Sequence, residues 1–152
     1  MNKLKTFKEL LKVPSAAILA MCDGLENQSK RSDFIVIMST FGAVDSEGRC
    51  VGCAATCAAQ EITHVDLNSS NIGSANERAT VFSVAIHDLK LFEEAVNSLR
   101  QGYPERLLLY FGITDKPVDF FPLPHLSSTD WSWNKYLSRY RQFAEALAKL
   151  GL

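Results

Sequence analysis

Between Cys50 and Ile62 almost every side chain is small. Small side chains let neighbouring backbones approach closely without leaving voids. The run is therefore expected to form a buried, central helix over 50–62, with the remaining elements laid around it.

The flanking sequence supplies those elements. Leu4, Phe7, Leu10 and Leu11 recur at helical spacing, and Pro14 with Ser15 interrupts before a second short helix over Ala16 to Met21 that ends near Gly24. Glu26 to Asp33 is polar and is expected to be a surface loop. Phe34-Ile-Val-Ile-Met38 is rich in β-branched residues, which favours an extended segment, although no partner strand is evident. Asp45-Ser-Glu-Gly48 has turn chemistry.

Ser74-Ala-Asn-Glu77 has the capping-box pattern and should open a helix running through Ala79, Phe82, Val84, Ala85 and Ile86. Asp88 is expected to cap the next helix, which carries Leu91, Phe92, Ala95, Val96 and Leu99 and closes at Gly102. Pro104 to Phe111 reads as a short helix ended by Gly112. Prolines at 117, 122 and 124 suit an extended segment over 114–128 that wraps the body. A last helix from near Asp130 presents Trp133, Tyr136, Leu137, Tyr140, Phe143, Ala144 and Leu147 as a docking face. The fold expected is mainly α, a single-domain helical bundle of about six or seven helices over 1–152, with the C-terminal helix laid across the central one. A small α+β arrangement with an extended segment at 34–41 is the alternative.

Sixteen basic against seventeen acidic residues leave a net charge of −1, so no global field exists to hold a polyanion, and no nucleic acid is expected. Lys5, Lys8 and Lys12 lie along one side of the first helix, where solvation is their plain role. The longest apolar runs are far shorter than the roughly 20 residues a membrane-spanning helix needs. No export signal is read in residues 1–13, so the expected location is cytoplasmic, with the four cysteines at 22, 50, 53 and 57 as thiols.

Three groups of residues invite chemistry or recognition. Cys50, Cys53 and Cys57 place three thiols within eight residues, and pairs two residues apart are used to hold zinc and iron–sulfur clusters. A helix would separate Cys50 from Cys57 by roughly 10 Å, so a shared ion requires Cys50 to leave it. Core packing is the plain alternative, because free cysteine is among the most buried residue types. Second, Cys50 or Cys53 near a helix N-terminus could act as a nucleophile with His64, His87 or His125 as base, the pair Cys53 and His64 being the leading candidate. Gly52-Cys53 resembles the nucleophile region of papain-like hydrolases over a handful of residues, and no downstream His and Asn pattern extends the likeness. Third, Phe120, Phe121, Trp131 and Trp133 could form an aromatic surface that anchors a partner, with completion of the core under a long loop as the preferred plain reading. Glu93 and Glu94 read as carboxylates on a helix exterior.

The functional expectation is an accessory or protein-interaction domain without a cofactor, partnered by another protein or by a second copy. A metal-binding or thiol-dependent protein using Cys50, Cys53 and Cys57 is the alternative.

Overall fold

A computed structural model describes residues 4–114, 122–127 and 133–152. Its chain order begins with α1 (Phe7–Leu11), α2 (Pro14–Gln28), β1 (Phe34–Val36), β2 (Ala43–Val44) and β3 (Cys50–Gly52). It continues with α3 (Ala54–Thr63), α4 (Ala75–Phe82), α5 (Ile86–Arg100), α6 (Glu105–Tyr110) and α7 (Trp133–Lys149). The described residues thus form a mainly helical body of seven helices with one small sheet, around a single hydrophobic core.

The small-residue segment is divided between two elements. β3 takes Cys50–Gly52 and is the middle strand, parallel to β1 with Phe34 opposite Cys50, and antiparallel to β2 with Val44 opposite Cys50. The missing partner of the 34–38 run is therefore supplied by residues expected to be helical. Asp45 builds the β2–β3 turn as anticipated: its Oδ1 accepts from the amides of Glu47 and Arg49 at 3.0 and 2.8 Å, and Gly48 adopts φ +78°. Cys53 becomes the N-cap residue of α3, and the central helix starts at Ala54 rather than at residue 50.

α3 is central as expected, and α2 is its main neighbour. Gly24 makes that approach feasible. A Cβ there would lie 2.2 Å from the Cys57 carbonyl oxygen, so this glycine serves a helix crossing. It does not stop the helix, and α2 runs on to Gln28, through the start of the segment expected to be loop. α7 buries Trp133, Leu137, Tyr140, Phe143, Ala144 and Leu147 as its stripe implied, but it packs on α2 rather than across α3. The Asp130 start lies outside the described residues.

The Ser74–Glu77 capping box is formed. α4 ends at Phe82 with Ser83 left-handed (φ 57°), which frees Val84 to bridge Lys5 and lets the Ala85 amide donate to the Lys5 carbonyl at 3.3 Å. α5 starts at Ile86 with Ala85 as its N-cap residue, so Asp88 is not the cap. Gly102 and Gly112, at φ +94° and +79°, close α5 and α6 as the sequence suggests. Residues 122–127 have no regular secondary structure and lie against α5 and α7.

Candidate functional site

The four thiols are all buried and unpaired. The Cys50 thiol donates to the Leu67 carbonyl at 3.9 Å, Cys22 donates to the Leu137 carbonyl at 3.9 Å, and Cys53 Sγ lies 3.9 Å from Thr56 Oγ1. At the start of α3, the backbone amides of Thr56 and Ala55 favour a Cys53 thiolate, but burial outweighs them and pushes the thiol up. Burial likewise raises Cys50, raises Cys57 well above its ordinary value and pushes Cys22 up to about 12. A nucleophilic thiol requires the opposite, a lowered pKa and an open approach.

His64 does not reach Cys53. The two residues flank opposite ends of α3, with His64 exposed and left-handed (φ 58°) at the C-cap. Eleven helical positions correspond to about 16 Å along the axis. His87 is exposed on the first turn of α5, and His125 contacts Arg100. Cys50 does leave the helix, as a shared ion would require. Among the described residues, however, no group of three or more His, Cys, Asp or Glu side chains is placed to hold a metal ion. Of the aromatic candidates, Phe120, Phe121 and Trp131 lie outside the described residues, and Trp133 is turned into the core at 4% exposure.

Two polar nodes have no counterpart in the sequence reading. Glu93, expected on an exterior, is buried and receives Arg78 Nε at 3.1 Å and Nη2 at 3.0 Å, while Arg78 Nη1 donates to the Ile72 carbonyl at 3.0 Å. Burial pushes the Glu93 carboxyl up against the pull of Arg78. The pair ties α4 and the loop before it to α5. Glu94 is exposed, as expected, and lies 3.7 Å from Arg106.

The second node seats α1. Asp88 Oδ2 accepts from the Phe7 amide at 2.8 Å and Oδ1 accepts from the Tyr110 hydroxyl at 2.6 Å; that hydroxyl in turn accepts from the Lys8 amide at 3.0 Å. With Thr6 Oγ1 accepting from the Glu9 amide at 3.1 Å, the first three amides of α1 are all satisfied. The Phe7 ring stacks on Phe92, with centroids 4.2 Å apart.

Beside this node lies an open groove of about 450 Å³ between α5 and α6, lined by Lys8, Asp88, Leu91, Glu94, Arg106, Leu109 and Tyr110. Leu91 is 44% exposed and Leu109 61%. Tyr103, on the α5–α6 connection, is exposed as well.

No protein-family model, curated protein or solved structure matches this chain.

Sequence reasoning assigns Leu91 to the core stripe of α5, yet its phase argues against that. Leu89, Phe92, Val96 and Leu99 are buried at spacings of three and four, and Leu91 falls off that stripe. Leu107, Leu108 and Leu109 are consecutive on a helix and cannot all face inward; Leu109 is the one left outside.

Proposed function

We propose that this chain is an accessory, protein-interaction domain that receives its partner on the α5–α6 groove. The observation that carries the reading is the pair Leu91 and Leu109, two large apolar side chains exposed on the same groove. Apolar anchors within a rim of charges such as Lys8, Glu94 and Arg106 are the composition expected of a recognition surface. The partner is another protein or a second copy of this chain. Balanced charge argues against nucleic acid, and no helix among the described residues is long and apolar enough to cross a membrane. Four unpaired thiols suit a reducing compartment, which supports a cytoplasmic location.

The test is affinity capture with the wild-type chain beside the double variant Leu91→Ser, Leu109→Ser, with sedimentation of each to detect self-association. A protein, or a dimer, present with the wild type and lost with the variant supports the reading. Equal behaviour of the two chains removes it. Thiol or metal chemistry at Cys50, Cys53 and Cys57 is the second reading, favoured by the position of Cys53 at the amides of α3. Bound metal or a fast-reacting thiol in the folded protein would put it first.

A further inference from the structure

The segment 122–127 is fastened by a small set of bonds around one imidazole. The Leu126 amide donates to the Arg100 carbonyl at 2.8 Å, and Tyr140 Oη shares its hydrogen among the carbonyls of Pro124, Leu99 and Arg100. The Arg100 guanidinium donates from Nε to Asn97 Oδ1 at 2.8 Å and from Nη1 to the Leu126 carbonyl at 3.3 Å, with His125 Nε2 2.8 Å from the same Nη1.

A guanidinium has donors and no acceptor. At 2.8 Å the contact with Arg100 is therefore a hydrogen bond only when His125 Nε2 carries a lone pair, which makes the ring neutral with its proton on Nδ1. A protonated ring bears hydrogens on both nitrogens, so it would lose that bond and set a second cation against Arg100. The described residues around them supply no negative charge to neutralise such a pair. α5 contributes Arg100 and the neutral Asn97, α7 contributes the Tyr140 hydroxyl, and the N-cap residue of α3, Cys53, contributes a buried thiol. Residues 122–127 themselves carry no charge besides His125. Among the described residues no carboxylate pairs with either Arg100 or His125.

We propose that residues 122–127 are an acid-released strap, held down while His125 is neutral and loosened when its ring takes up a proton against Arg100. His125 is exposed, so protons reach it without unfolding of the body. Leu126, within the strap, is fully buried, so release withdraws it from an apolar seat at the end of α5.

The test is amide hydrogen exchange of Leu126 at about pH 5 and about pH 8, each rate divided by that of the unstructured chain at the same pH, with the Cys57 amide of α3 as reference. Loss of a charge-assisted hydrogen bond should lower Leu126 protection about tenfold at the lower pH while Cys57 is unchanged. The variant His125→Gln offers a carbonyl acceptor that does not titrate in this range and should hold Leu126 equally at both pH values. Equal wild-type protection at the two pH values overturns the proposal. So does an equal loss in His125→Gln, or a parallel loss at Cys57.

Discussion

The seam between α2 and α3 and the face made by α5 and α6 treat their side chains in opposite ways. In the seam, Gly24 brings the backbone of α2 against Cys57, and Cys57 and Ala58 are fully buried there. On the α5–α6 face, Leu91 and Leu109 stand open to solvent over a groove. The seam holds a thiol, Cys57, and gives a second reactant no room; the face holds unreactive leucines and has room to spare. Reactivity in a side chain becomes function only where the fold leaves space beside it.

The contrast can be broken most severely at Gly24. Gly24→Ala would force a methyl to within 2.2 Å of a backbone carbonyl that cannot step aside, and a loss of about 3 kcal/mol or more is expected in chemical denaturation. A near-neutral result would mean that the seam is loose and that a small reactant has space to approach Cys57. On the other side, Asp88→Ala removes the acceptor of the Phe7 amide and of the Tyr110 hydroxyl beneath the groove. The expected cost is about 2–3 kcal/mol, and the measurement is the same.

Alkali sharpens the comparison, because raised thiols lie in the packed interior, Cys57 in the seam and Cys22 on the opposite face of α2 against α7, and none lines the groove. Burial holds the Cys22 thiol at about 12 against an ordinary 9. The folded chain therefore keeps a proton that the unfolded chain gives up above pH 9. That contribution is complete below pH 9 and is lost as pH rises towards 12. Between about pH 8 and about pH 10.5 it amounts to about 2 kcal/mol for this one group. The urea midpoint should fall over that interval, and Cys22→Ala, although less stable at the outset, should fall less steeply. A thiol reagent should label none of the four cysteines at neutral pH until denaturant is added. The smallest change is expected on the open face: Leu91→Ser and Leu109→Ser should each shift the unfolding free energy by no more than about 0.5 kcal/mol. A larger loss would show that these leucines belong to the core.

Legibility in the sequence follows the range of the interaction. The Ser74 cap, the Asp45 turn and the closing glycines at 102 and 112 are made by residues within a few positions of one another, and each is readable. Gly24 reads as a stop because its true reason is a carbonyl 33 residues away in sequence, at Cys57. Cys50 to Gly52 looks helical because small residues suit a close helix crossing, while the strand pairing that claims them comes from Phe34 and Ala43. Glu93 passes for a surface carboxylate because Arg78 lies on another helix. As to the candidate site, the cysteines draw notice by rarity, whereas Leu91 and Leu109 are detectable only by phase, as leucines left off an apolar stripe that is already full.

The seating of α1 has a bearing on how the chain assembles. Its Phe7 and Lys8 amides find their acceptors 81 and 102 residues further along. A five-residue helix has no independent stability in water. During synthesis the segment around Phe7 must therefore wait, with a large aromatic ring uncovered, until Tyr110 has emerged and α5 and α6 have come together. The earliest helix in the chain is thus among the last to settle, and a truncation that stops short of residue 110 should leave it unformed even if the sheet and α2–α3 have already closed.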